Sequence, residues 1–228
     1  MGKNCAIIVA AGKGTRMKAN INKQFLELKG KPILYYTLKA FENNDLIDDI
    51  VLVLSPEEVD YCKVNIIDKY HIKKVKNIVE GGSTRQVSVL NGLLAAKDCD
   101  LVLIHDGARP FIDNRLIEEG LMYADLYGAC ACGVEPKDTI KIRAIDGFSA
   151  ETLKREFLFS VQTPQCFKYD LIVKAHKNAV KNKLEVTDDT MVVENYNNRV
   201  YLYSGNYNNI KITTPEDLII AEKILENL

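Results

Sequence analysis

Two glycines and three cations stand together near the start of the chain: Gly12 and Gly14, with Lys13, Arg16 and, slightly further on, Lys23. Glycine lacks a Cβ, so successive backbone N–H groups can turn toward one acceptor and form an anion-binding concavity. The cations add full positive charges around it, and a polyphosphate is the group this chemistry suits. Gly81-Gly82-Ser83-Thr84-Arg85 is a second glycine turn and opens a helical segment, where free amides and the helix dipole favour an electron-rich group. Arg85 and Ser88 fall in the first turns of that helix. The third cluster is His105-Asp106-Gly107-Ala108-Arg109-Pro110. An acid at a strand end can bind ribose hydroxyls or help to hold Mg²⁺, and Arg109 can clamp a phosphate. Each cluster also has a plain structural reading: a loop glycine, a capped turn, an Asp–Arg brace. His105, closing a buried strand, reads as a hydrogen-bonded framework residue.

The first loop is neither of the two common phosphate motifs. Met17 stands where the dinucleotide fingerprint has its third glycine, and one residue separates Gly12 from Gly14 where the P-loop has four. No GxSxG surrounds a serine, and no histidine cluster has zinc-ligand spacing. What remains is the equipment of phosphoryl or nucleotidyl transfer, which needs positioning and charge neutralisation more than a covalent nucleophile. Thr187-Asp188-Asp189 precedes a helical run and reads as an N-cap. Lys211 sits at the centre of a short strand, Asn209–Thr213, facing opposite to Ile210 and Ile212; taken alone, it faces solvent.

The elements that must position these groups alternate. Apolar, β-branched runs predict strands at Cys5–Ala10, Ile50–Leu54, Val75–Val79, Leu101–His105, Gly128–Val134 and Val200–Tyr203. Helical spacing predicts helices at Ile33–Asn43, Arg85–Ala96, Asn114–Asp125 and Leu171–Val180. Ser55-Pro56-Glu57-Glu58 and Thr214-Pro215-Glu216-Asp217 have the form of helix entrances with a cap, a proline and a closing acid. This βαβα rhythm implies an α/β fold: a mostly parallel twisted sheet with helices on both faces, whose ligands collect at the carboxyl ends of the strands. The rhythm breaks at Lys137. Period-two alternation over Thr139-Ile140-Lys141-Ile142-Arg143 and the turn at Asp146-Gly147 predict a two-stranded arm at about residues 137–160. An isolated hairpin is marginal in water, so the arm needs a surface, and a second subunit supplies one.

Composition narrows the field. A chain of 228 residues, 47% hydrophobic, can bury one sizeable core, so residues 1–228 read as one domain with the arm as an appendage. A net charge of −1 gives no general attraction to nucleic acid or to anionic membranes. The basic stretch from His71 to Lys76 has no interleaved aromatics and reads as solvated surface. No apolar run reaches membrane-spanning length, and the N-terminal stretch is not a signal peptide. Six cysteines without a CxxC pair predict reduced, buried thiols in a cytoplasmic protein; Cys130-Ala131-Cys132 reads as core filling.

Taken in order, these segments resemble the 2-C-methyl-D-erythritol 4-phosphate cytidylyltransferase family. The resemblance runs nearly end to end. It rests on Ala10-Ala11-Gly12-Lys13-Gly14-Thr15-Arg16-Met17, Lys23-Gln24, Gly81-Gly82 with Arg85 and Ser88-Val89, and the stretch from His105 to Pro110. It continues through Asp138-Thr139-Ile140-Lys141, Gln162-Thr163-Pro164-Gln165, Thr187-Asp188 and the segment from Lys211 to Asp217. The resemblance implies a Rossmann-like nucleotidyltransferase fold and a reaction joining CTP to the methylerythritol phosphate, with Mg²⁺ carried mainly by the CTP phosphates and Asp106 near it. It further implies that Arg16, Lys23, Arg155 and Lys211 act on the reacting groups. CTP would be bound by Ala10, Ala11, Gly12, Gly14, Gly82, Arg85, Ser88 and Asp106. The acceptor would be held by Asp106, Arg109, Thr139, Arg155, Thr187 and Lys211. In this family the arm reaches across a homodimer, placing Thr139, Arg155 and Arg109 against the partner's substrate. Two departures stand out: Asn22 precedes Lys23 where the family usually has proline, and Ser83 stands where some members have an acid.

Three other readings compete. Ribitol-5-phosphate cytidylyltransferases share fold and nucleotide, but their opening has glycine where Ala11 stands here, and the Thr139–Lys141 segment and Arg155 favour methylerythritol phosphate. An inert nucleotide-binding regulator would not need every charged residue in place. A nicotinamide-dependent oxidoreductase lacks its third glycine.

Overall fold

A computed structural model describes residues 2–12 and 22–227. The opening apolar run forms β1 (Asn4–Val9), whose successive side chains enter two different cores: Ala6 and Ile8 on one face, Cys5 and Ile7 on the other. Burial on both faces makes the run continuously apolar rather than alternating. A small hairpin, β2 (Glu27–Leu28) and β3 (Lys31–Pro32), leads into α1 (Ile33–Glu42) and β4 (Asp49–Leu54). Then follow α2 (Val59–Cys62), β5 (Val75–Glu80), α3 (Arg85–Ala95), β6 (Leu101–Asp106), α4 (Asn114–Tyr127) and β7 (Ala129–Val134). Asp113 caps α4 by accepting from the Leu116 N–H (2.9 Å), and Gly128 ends it at φ 86°, a left-handed position that suits glycine.

Beyond it, β8 (Lys141–Arg143) pairs with β9 (Ser149–Thr152) as a separate two-stranded antiparallel sheet. β10 (Ser160–Lys168), α5 (Tyr169–Lys181), α6 (Asp189–Glu194), β11 (Tyr201–Ser204) and α7 (Pro215–Glu226) complete the chain. Among the described residues seven strands share one sheet, in the order β11-β7-β10-β6-β1-β4-β5. All its pairings are parallel except those of β10, which runs antiparallel between β6 and β7. Val9 aligns with Val53 on one side and Asp106 on the other, and Leu54 with Glu80, so four strands end level along one edge. The core against α1 and α4 holds Leu34, Leu38, Phe41 and Leu116; the core against α3, α5 and α6 holds Val89, Leu93, Ile172 and Val193. No helix among the described residues is long and apolar enough to cross a membrane, and all six cysteines are free and buried.

The α/β architecture and the parallel order follow the sequence pattern; three local expectations do not. The Ser55 capping box does not form. The Ser55 hydroxyl donates instead to the Ala11 carbonyl (3.1 Å), and Glu58 turns inward to accept from the side chains of Asn22 and Gln24. Residues 209–213 join no strand; they are held by the Ile212 N–H donating to Ala108 O (2.9 Å) and by the buried Ile212 side chain. β10 was not anticipated. Its pairing with β7 is interrupted between Val161 and Gln165, around Pro164, which cannot donate to a ladder.

Candidate active site

The level strand ends feed loops that line a cleft of about 560 Å³, within the range of small-molecule sites. From the end of β1 come Ala10, Ala11 and Gly12; from the single helical turn Lys23–Phe25, Lys23 and Gln24. The β5–α3 turn contributes Gly82, Ser83, Thr84, Arg85 and Ser88, while β6 contributes Asp106 and the α7 approach contributes Lys211. Gly14 and Arg16 lie outside the described residues. A smaller adjoining cavity of about 170 Å³ shares Arg85, Asp106 and Lys211 with the first, and adds Arg109, Thr187, Asp188 and the β10 residues Gln162, Thr163 and Gln165.

The glycine turn is built for close approach. A Cβ at Gly81 would lie 2.3 Å from the Ala11 Cβ, so only glycine lets the β5 loop pack on the β1 loop. Thr84 caps α3 by accepting from the Val87 N–H (3.2 Å). Ser88 accepts from the Gly82 N–H (3.0 Å) and donates to Thr84 O (2.9 Å), fixing the turn from within the helix. The capped-turn reading and the ligand-site reading therefore describe the same residues. Gln24, almost wholly buried, donates to Ala10 O (2.6 Å) and so ties the Lys23 turn to the end of β1. Lys23 Nζ donates to Ile212 O (3.1 Å), which places its charge next to the segment carrying Lys211.

Asp106 is the electrostatic centre. Lys211 Nζ lies 2.7 Å from one carboxylate oxygen and Arg109 Nε 3.7 Å from the same one; Arg85 Nε lies 3.6 Å from the other. Burial alone would raise the pKa of Asp106, but Lys211, Arg85 and Arg109 together hold it far below the usual carboxylate range. Lys211 thus points into the cleft and not to solvent, because the buried acid draws it there. Arg109 also donates from Nη1 to Asn209 O (2.7 Å). Both the bracing and the ligand-facing readings of the Asp–Arg pair apply, since the pair also lines the smaller cavity; Arg109, tied down by Asp106 and Asn209, faces its own chain's cavity and not, as the resemblance implies, a partner's substrate. His105 is fully buried, with Nε2 3.1 Å from Arg109 O and Nδ1 3.0 Å from Thr163 Oγ1. Burial pushes it down to about 4, so it is neutral at pH 7 and holds the loop, the framework role its place in the sequence suggested.

Asp188, not Thr187, caps α6, accepting from the Met191 N–H (2.9 Å). Thr187 is exposed and lines the smaller cavity. Thr139 and Arg155 line neither cavity; both are exposed, Thr139 just before β8 and Arg155 in the turn after β9. Sequence reasoning gave no role to Gln162, Thr163 or Gln165, although their run was visible in the resemblance. Thr163 Oγ1 accepts from the Asp106 N–H (3.1 Å), and Gln165 donates to Asp188 (2.9 Å) and accepts from the Asp189 N–H (3.0 Å). Among the described residues no three metal-ligating side chains converge, and Asp106 is the one acid lining the larger cleft.

Comparison with known proteins agrees with this geometry. The family model for IspD, 2-C-methyl-D-erythritol 4-phosphate cytidylyltransferase, matches residues 4–227. The 2-C-methyl-D-erythritol 4-phosphate cytidylyltransferase of Clostridium novyi (strain NT) is 69% identical over 228 residues, covering 100% of this chain and 99% of that protein. That of Clostridium acetobutylicum is 59% identical, covering 98% of this chain and 97% of its own length. The crystal structure of 4-diphosphocytidyl-2C-methyl-D-erythritol synthase from Anaerococcus prevotii DSM 20548 superposes with a TM-score of 0.88 at 34% identity, covering 99% of this chain and 96% of that one. A chain matched from end to end in sequence and in fold, with its cationic cleft at the strand ends, belongs to the 2-C-methyl-D-erythritol 4-phosphate cytidylyltransferase (IspD) family.

Proposed function

We propose that this cleft joins CTP to 2-C-methyl-D-erythritol 4-phosphate, with release of pyrophosphate, and that residues 1–228 act as one nucleotidyltransferase domain. The observation that carries the assignment of roles is Asp106, which has Lys211, Arg85 and Arg109 around it and faces both cavities. CTP occupies the larger cleft, its base and ribose against the backbone of Ala10–Gly12 and Gly82, its phosphates toward Lys23, Lys211 and, from the sequence reading, Gly14 and Arg16. The acceptor occupies the smaller cavity beside Arg109, Thr187 and Lys211. An acceptor phosphate oxygen attacks the α-phosphorus in line, and the phosphorus–oxygen bond to the pyrophosphate breaks. Charge grows on the leaving phosphates, and fixed cations stabilise it without reorganising.

Mg²⁺ fits this site as a companion of the triphosphate: one carboxylate plus substrate phosphates is a common way to hold it, and Asp106 is the carboxylate that would contribute. When bound it supplies further charge neutralisation.

Thr139 and Arg155 complete the acceptor site only if a second copy brings them. The exposed Ile145, Phe148 and Phe157 beside them support that reading, because apolar side chains grouped on one exposed element mark an interaction surface. A homodimer through the arm at 137–160 follows. Six buried free thiols support a reducing, cytoplasmic setting.

The test is an acceptor assay with CTP and Mg²⁺. Pyrophosphate release with methylerythritol phosphate and little with ribitol 5-phosphate is expected. The reverse preference would transfer the chain to the ribitol reading, and CTP binding without turnover on either would make it a regulator.

A further inference from the structure

Arg85 is in an electrostatically awkward place. It is the first residue of α3, where the positive end of the helix dipole disfavours a cation. Its partners must therefore come from elsewhere in the fold, and two acids supply them. Arg85 Nε lies 3.6 Å from Asp106, and Arg85 Nη1 lies 2.8 Å from Asp189 Oδ2. The Asp189 contact is the shorter, and Asp106 is already shared with Lys211 and Arg109. Burial works against the charge of Arg85, yet the two carboxylates more than offset it and raise its pKa.

Asp189 itself touches neither cavity. It is 1% exposed, behind the wall formed by Thr187, Asp188 and Gln165. Its other carboxylate oxygen faces His176 Nε2 of α5 at 3.0 Å, and its backbone N–H donates to Gln165 Oε1 at 3.0 Å. His176 is completely buried, and its Nδ1 has no hydrogen-bond partner among the described residues. With Nε2–H as donor, the polar contact of that ring is with Asp189. A buried acid is thus fixed from α5 and β10, and its other side is aimed at Arg85, which lines both cavities.

We propose that Asp189, held by His176 and Gln165, is a positioning residue that sets Arg85 between the nucleotide and acceptor cavities and so keeps Asp106 available to Lys211. This rests on the functional reading above. Without the Asp189 charge, Arg85 is left with Asp106 alone and draws that carboxylate away from Lys211. The reacting groups then lose alignment even though no residue touching them has changed.

A double-mutant cycle tests this, using Asp189→Asn, Arg85→Gln and the pair, with kcat/KM for CTP measured at saturating acceptor and thermal unfolding alongside. D189N alone should lower kcat/KM by up to ~10²-fold, the loss typical of a small misplacement of reacting groups. In the R85Q background the same change should cost at most about twofold, because the group through which Asp189 acts is gone. A purely structural role would lower the folded fraction in both backgrounds, so full multiplication of the two losses overturns the proposal. So does a crystal structure of D189N with Arg85 unmoved against Asp106, a readout independent of turnover. If D189N does not fold, His176→Gln runs through the same cycle and the same structure determination, with a smaller loss that again vanishes in R85Q. A wild-type chain inactive with CTP and methylerythritol phosphate would overturn the functional reading only, and the crystallographic comparison would still decide the positioning role.

Discussion

The strand-end cleft and the β8–β9 sheet are held together by different means. In the cleft, important side chains are gripped by partners far away in sequence: Asp106 by Lys211 and Arg85, Gln24 by Ala10, Thr163 by Asp106. In the β8–β9 sheet the pairing is internal, and Ile145 and Phe148 are exposed at its turn, with Phe157 exposed just beyond it. The first region is preorganised within one chain, which electrostatic catalysis requires. The second carries Thr139 and Arg155 at its ends but has no wall of its own on which to use them. One region assembles its groups within the chain; on the proposed reading, the other lends its groups to a second copy.

The largest effect should come from the first region. Lys211→Ala removes the cation nearest Asp106 and should lower kcat by ~10²–10³-fold, as loss of one preorganised electrostatic contact typically does. Steady-state kinetics at saturating CTP checks this; a loss below tenfold would mean that Lys211 only balances Asp106. The second region should respond differently. Arg155→Ala should also be nearly inactive, yet an equal mixture with K211A should recover about a quarter of wild-type activity, since half the dimers are mixed and each mixed dimer has one intact site. No recovery after subunit exchange would confine each site to one chain. Phe148→Asp should leave the fold of the single chain intact by circular dichroism, because the side chain is exposed within it, while light scattering shows the mass falling to that of one 25.7 kDa chain.

The same contrast explains what the sequence could show. β1 and β6 are legible because a parallel strand buried on both faces has to be apolar throughout. The glycine turns are legible because close backbone approach admits no other residue, as Gly81 against Ala11 demonstrates. Side-chain direction is not legible where a distant partner decides it. Taken alone, Lys211 reads as solvent-facing and only the resemblance puts it in the site; Asp106 beneath it decides its direction, just as Asn22 and Gln24 draw Glu58 inward from the capping position its spacing suggests. Asp188 does cap its helix, as its position suggested, but nothing near Asp189 in sequence announces His176 or Arg85. β10 hid because its centre, Gln162-Thr163-Pro164, has polar residues and a proline where a strand pattern should continue; the ladder is interrupted there, and Gln162 and Thr163 line the smaller cavity.

The smallest effect concerns how the cleft holds Lys211 at the proper height. Two residues after it, the chain enters α7 through a reciprocal cap: Asp217 accepts from the Thr213 N–H (2.7 Å), the Thr213 hydroxyl (2.8 Å) and the Thr214 N–H (2.9 Å). Burial alone would raise the pKa of Asp217, but these donors outweigh it and hold the group below the usual value. A depressed carboxylate stabilises the fold at pH above its unfolded value and loses that contribution as the pH falls through the folded one. Asp217→Asn should therefore cost about 1 kcal/mol at pH 7, the usual value of such a cap. Thermal unfolding of the two proteins should show the gap closing as the pH falls from about 4, the ordinary aspartate value kept by the unfolded chain, through the lower value of the folded group. A gap that persists unchanged at pH 3 would mean that the amide fails for steric reasons and that charge contributes nothing to the cap. Because the site region is already preorganised by its ion pairs, kcat of D217N at pH 7 should fall by no more than a few-fold; a larger fall would show that the cap, and not Asp106, sets the position of Lys211.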